Sequence, residues 1–234
     1  MVSKKICFLI VGSLIFCAST LWAGDMASFV DLGFSPDSKT YMFAQYGVES
    51  GTLRPWADLF AVDVNRNDYV TGGVISFTHS SPVVAGSDGS GAFYRLISRN
   101  ASLAEKYGVT FLRQGQPLYV SVDSNDTGSS GETIEFRDFG AGNTYKASLV
   151  SSVEGLGKDL KSSFHIILDR TSRNGDKKTY AVGNPQIKRP FIASYKIKKV
   201  MVAPNDGALI FVIEMKRPVS DGFDIRYMVE ALQQ

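Results

Sequence analysis

Both cysteines of this chain, Cys7 and Cys17, lie within its first 23 residues, and those residues read as a leader. Lys4 and Lys5 open it, Ile6 to Cys17 form an apolar run, and Ala18-Ser19-Thr20-Leu21-Trp22-Ala23 lead to Gly24 and Asp25. That order is that of a secretory signal peptide cut after Ala23. The run is far short of the roughly 20 apolar residues that span a bilayer. Charged or polar residues interrupt every later run, so no transmembrane span is expected in the mature chain. Lipidation at Cys17 would want a small residue before it, and Phe16 is bulky, so a cleaved leader is the favoured reading.

Cutting the leader removes every thiol. The mature chain can use no disulfide, no cysteine nucleophile and no thiolate metal ligand. It must rest on its own core, and removing 23 of the 234 residues leaves 211, enough for one domain, 24–234, with a sizeable core. Lys4 and Lys5 leave without any acid, so the balance of 25 basic and 23 acidic residues becomes 23 against 23. Nothing then points to nucleic acid as a partner.

After Gly24 the pattern is mostly strand-like: short runs rich in Val, Ile, Phe, Tyr and Thr between clusters of Gly, Asn, Asp and Ser. Strands are expected near 28–32, 40–46, 58–64, 69–78, 117–123, 133–138, 145–151, 163–169, 179–182, 193–202, 208–215 and 225–231. Phe164, Ile166 and Leu168 should share one face of their strand, with His165 on the other. Asn174-Gly175 and Asp206-Gly207 are hairpin signals, because these residues tolerate positive φ. From Ala92 to Tyr107 the apolar residues take helical spacing, with Ser90 as the start cap and Gly108 as the stop. The expected fold class is therefore mainly β: antiparallel, blade-like meander units forming an incomplete propeller or a β-sandwich, with one amphipathic α-helix near 92–107.

Two stretches align without gaps: Phe34-Ser35-Pro36-Asp37-Ser38-Lys39-Thr40-Tyr41-Met42-Phe43 and Val202-Ala203-Pro204-Asn205-Asp206-Gly207-Ala208-Leu209-Ile210-Phe211. Each is a proline turn followed by an apolar strand, and each has a strand before and after it. This unit resembles the repeat of TolB-type periplasmic propellers, with Ser35-Pro36-Asp37 matching and Ser38 replacing a glycine. The middle of the chain lacks it, and the chain is short for a full propeller. Over its whole mature length the chain resembles a family of predicted secreted bacterial proteins of unknown function. Gly24-Asp25, Ala27, Phe29, Leu32-Gly33-Phe34-Ser35, Phe43, Tyr46-Gly47, Pro55-Trp56-Ala57 and Val62-Asp63-Val64 carry that resemblance. It implies export and carries no activity or catalytic residues.

The chemistry on offer is sparse. His79 and His165 are the two histidines, and neither lies in a nucleophile-elbow pattern, so a Ser-His-Asp triad is a poor expectation. Asp63, Asn65, Asn67 and Asp68 place oxygen ligands in one loop, as a calcium site would. However, Asp68 stands where a helix–loop–helix calcium loop needs glycine, and Val74 where it needs glutamate. Asp123, Asn125 and Asp126, with Glu132 nearby, form a second such loop. The same residues equally make hairpin turns. Gly86 to Gly91 reads as a flexible lead-in to the helix. Lys196 and Lys198 share a strand face near Lys188 and Arg189, a strip able to meet an anionic envelope component or simply to block edge pairing. Trp56 is a contact residue if exposed and an anchor if buried. The expected function is a non-enzymatic exported envelope protein, periplasmic or secreted, that binds another protein or an envelope component. It needs no cofactor, with calcium as the one candidate. The alternative is a secreted hydrolase using clustered carboxylates.

Overall fold

The computed structural model describes residues 24–122, 132–220 and 222–234. Strands β1 (Ser28–Phe34), β2 (Thr40–Val48), β3 (Pro55–Asp63) and β4 (Asp68–Thr78) form a first meander sheet. Two helices, α1 (Ser90–Arg99) and α2 (Ala101–Tyr107), follow, and then β5 (Gln116–Val120). An outer sheet holds β6 (Thr133–Asp138), β7 (Asn143–Glu154), β8 (Lys161–Thr171), β9 (Lys177–Val182) and the two-residue β10 (Arg189–Pro190). The chain ends in β11 (Ser194–Val202), β12 (Leu209–Val219) and β13 (Gly222–Leu232), which with β5 make a central sheet. Every pair within the sheets is antiparallel.

The layers stack in series: α1, first sheet, central sheet, outer sheet. The residue pattern shows why. In β12, Leu209, Phe211 and Ile213 pack toward the outer sheet, while Ile210 and Val212 pack toward the first. In β2, Tyr41 and Phe43 face the central sheet, and Met42 and Ala44 face α1 through Ala92, Phe93 and Leu96. These strands are near-continuous apolar runs because both faces are covered. In β6 burial alternates residue by residue, as it must in a sheet with one face in water. Phe164, Ile166 and Leu168 all point into the core between outer and central sheets, as their spacing predicts. The described strands close no ring, so the arrangement is sandwich-like rather than a closed propeller.

The aligned repeat has a structural counterpart. Both turns close with the same backbone bond, Ser35 N–H to Thr40 O (2.9 Å) and Ala203 N–H to Ala208 O (2.8 Å). The two turns also hold each other: Asn205 donates from Nδ2 to Pro36 O (2.6 Å) and from its backbone N–H to Ser38 Oγ (3.1 Å). The helix departs from expectation in two ways. It is two helices, because Asn100 turns its Nδ2 back onto Leu96 O (2.8 Å) and leaves the helical conformation. Its start carries no side-chain cap: Gly89 stands at the N-cap, and Ser90, the first helical residue, donates its N–H and its hydroxyl to Asp88 Oδ1. Gly108 ends the second helix in the left-handed region (φ 64°), as expected. At the β8–β9 turn Gly175 takes positive φ, and Asn174 does not.

The open edge of β13 is closed by polar groups from the segment before β1 and from the first sheet. Ile225 N–H donates to Asp25 O (2.8 Å), Tyr227 N–H to Gln45 Oε1 (2.8 Å) and Ala231 N–H to Asn67 Oδ1 (2.6 Å). Gln45 and Asn67 thus act as substitute strand partners. Asn67 adopts φ 50° to do so, and its Nδ2 donates to Glu230 (2.5 Å). Glu230 is buried, and Arg189 of β10 approaches it at 3.5 Å, so one carboxylate ties all three sheets together. Burial pushes its pKa above the usual 4.5, against the hydrogen bond from Asn67 and the charge of Arg189.

Two outcomes are expected. Gln45→Leu strands the Tyr227 N–H and should cost about 1–3 kcal/mol in urea unfolding. A carboxyl with a raised folded pKa contributes stability below its unfolded pKa and loses it as pH rises through the folded value. Melting temperature should therefore fall as pH rises from the ordinary 4.5 through the raised Glu230 pKa, and Glu230→Gln should flatten that fall.

Candidate functional site

The N-terminal residues of the described chain run along the start of β13. Met26 bridges Ile225 in parallel, and Asp25 N–H donates to Asp224 Oδ1 (2.9 Å). The Asp25 carboxylate turns inward. It accepts from Trp56 Nε1 (2.5 Å) and from the Arg226 guanidinium (2.8 Å), which also lies 4.0 Å over the indole ring. Asp25 and Trp56 are both 5% exposed. Gly47 is required beside them, since a Cβ there would meet Asp25 Oδ1 at 2.5 Å and the indole at 3.0 Å. Burial raises the Asp25 pKa, opposed by the Arg226 charge and the indole hydrogen bond. A buried, ion-paired floor results, with every donor directed by the fold.

Over this floor opens a groove of about 450 Å³. Its walls are Glu49 to Thr52 of the β2–β3 loop, Arg217 to Val219 and Asp224 of the β12–β13 hairpin, and Phe191. Phe191 is 40% exposed and holds φ 59°, a conformation costing of order 1 kcal/mol for a bulky L-residue. Its N–H is fixed on Leu160 O, and the Arg217 guanidinium covers its ring at 5.9 Å. Glu49 accepts from the Thr52 hydroxyl.

The residues singled out by sequence are dispersed. Trp56 is an anchor beneath the groove. Lys198 lies at a bulge in β11 and pairs with Glu214 at 3.7 Å, and half-buried Lys196 is opposite Glu214 in register. Lys188 pairs with Glu154 (2.6 Å) and Lys199 with Asp31 (3.0 Å), so acids interleave the basic strip. Asp63, Asn65, Asn67 and Asp68 share the β3–β4 turn but serve different ends. Asp63 Oδ1 accepts the Asn65 and Arg66 N–H groups, Asp68 accepts that of Tyr69, and Asn67 holds β13. Glu132 is elsewhere, accepting Ile197 N–H at 2.9 Å. Asp123, Asn125 and Asp126 lie outside the described residues. Among the described residues no three His, Asp or Glu side chains gather as a metal site needs. His79 Nδ1 faces the Ser81 backbone after β4, while His165 is on β8 of the outer sheet. The Asp25–Trp56–Arg226 cluster joins residues 31 and 201 positions apart. Only the Pro55-Trp56 step signals it in the sequence.

Stacked antiparallel sheets with a groove at one end define a sandwich-type β protein. The chain belongs to the family described as "Predicted secreted protein (DUF2259)", whose model matches residues 42–233. No curated protein and no solved structure matches it. Among the described residues no helix is long and apolar enough to cross a membrane.

Arg226→Ala removes the counter-charge of a buried carboxylate and should destabilise by about 3 kcal/mol at neutral pH. Asp25 then gains still more from protonation. The deficit against the wild type, read from urea unfolding, should narrow on acidification.

Proposed function

We propose that the chain is a non-enzymatic binding module of the cell envelope, exported by its 1–23 leader and cut after Ala23. In this reading it works in the periplasm or outside the cell, without a cofactor, and takes an envelope protein or another envelope component as its partner. The groove over Asp25, Trp56 and Arg226 carries the reading. Its floor is held by charge-assisted hydrogen bonds, so a ligand would meet groups already in place. Its rim combines an exposed aromatic ring, a guanidinium, a carboxylate and hydroxyls from three separate elements, a mix suited to a polar chain with apolar parts.

The hydrolase alternative needs carboxylates free to exchange protons. The three that share the groove are already committed: Asp25 to Trp56 and Arg226, Asp224 to the Asp25 N–H, and Glu49 to Thr52. Asp63 and Glu132 lie apart from them and from each other. This favours recognition over turnover.

A photo-reactive side chain placed at Thr52 tests the reading in cells. The expected result is a discrete cross-linked species that is absent when the probe is moved to Thr179 on the outer sheet. Equal labelling from both positions, or none from Thr52, would count against the groove. Turnover of chromogenic esters or glycosides lost in Asp224→Asn would favour the hydrolase.

A further inference from the structure

The β3–β4 turn, read from sequence as a calcium candidate, is surrounded in the fold by positive charge. A cleft of about 380 Å³ lies beside it, lined by Lys39, Thr40, Asp63, Asn65, Arg66, Val70, Thr71, Lys106 and Tyr107. The three cations come from three elements: Lys39 from the β1–β2 turn, Arg66 from the β3–β4 turn and Lys106 from α2. They converge only in the folded chain. Among the described residues the Arg66 guanidinium has no hydrogen bond, ion pair or ring contact, and Lys106 makes only a contact with the Tyr107 ring at 5.0 Å. Lys39 lies 3.9 Å from Asp37, with both side chains more than half exposed, a pairing worth little in water. Asp63 is the one acid in the lining, and its Oδ1 is occupied by the Asn65 and Arg66 N–H groups at 3.1 Å. Asp37, Asp68 and Glu105 are neighbours in sequence but do not line the cleft.

We infer that this cleft binds the phosphate of a phosphate ester. A guanidinium and two ammonium groups outnumber one partly committed carboxylate, which favours an anion and opposes calcium. Arg66 offers the planar fork that suits phosphate oxygens, and Lys39 and Lys106 supply point charges. The Thr71 hydroxyl and the Asn65 amide add neutral donors. Tyr107 and Val70 give the wall an apolar part, so the phosphate is carried on an organic group such as glycerol or a sugar. The site is separate from the groove over Trp56, and either stands without the other.

The test is calorimetric titration of the exported, processed protein with glycerol 3-phosphate, alongside Arg66→Gln/Lys106→Gln and Lys188→Gln, all checked for equal melting. Millimolar binding that weakens at least about tenfold in the double variant, and not in Lys188→Gln, is the expected result. No binding up to ~20 mM, or binding untouched by the double variant, overturns the inference. A calcium chloride titration whose heat is lost in Asp63→Asn also overturns it. A flotation arm with phosphatidylglycerol vesicles separates the sources. Capture lost in the double variant assigns the phosphate to a lipid headgroup, and glycerol 3-phosphate binding without capture assigns it to a soluble ester. Capture that survives the double variant, without glycerol 3-phosphate binding, overturns the cleft.

Discussion

The rest of this structure depends on how the outer edge of β13 is satisfied. The strand lies at the margin of the central sheet, between apolar layers, where an unpaired N–H is costly and a paired one requires a neighbour. Among the described residues no fifth strand is supplied. Instead Asp25 lends a backbone carbonyl, while Gln45 and Asn67 lend side-chain carbonyls. Because Gln45 is on β2 and Asn67 on the β3–β4 turn, closing the edge also fixes the first sheet against the central one. The relative placement of these two layers then determines where Asp25 meets Trp56 and Arg226, and so where the groove opens.

Much of the layering was legible in the residues. Continuous apolar runs at Ala208–Ile213 and Thr40–Ala44 mark strands covered on two sides, and the alternation in Thr133–Asp138 marks a strand covered on one. The repeated proline turns were legible as well, since each must close on itself in the same way. The break at Asn100 was not. An asparagine within a helical stripe is read by its spacing, and only the folded chain shows its side chain competing for Leu96 O. β10 was also missed: two residues paired to the end of β8 leave no periodicity to find.

The site was less legible than the fold for a related reason. Asn67 and Asp63 have the composition of a cation loop, yet an oxygen atom is a ligand only if nothing nearer claims it. In the fold, β13 claims Asn67, and the turn's own N–H groups claim one oxygen of Asp63. Trp56 drew notice as a large aromatic beside a proline, but its partners, Asp25 and Arg226, are far from it in sequence. Local pattern carries no information about contacts of that span. Arg66, unremarkable in sequence, gains its interest from Lys39 and Lys106 arriving beside it.

The side-chain bonds that tie Asp25, Gln45 and Asn67 to β13 link residues 163 to 201 positions apart. Loop closure over such distances must be met before these contacts return anything, which slows folding. The first sheet cannot find its final neighbour until β13, Gly222–Leu232, is free to collapse onto it. A first sheet built this way stays incomplete until β13 has followed it in synthesis. The first sheet and β13 must therefore be present together before these two layers can lock.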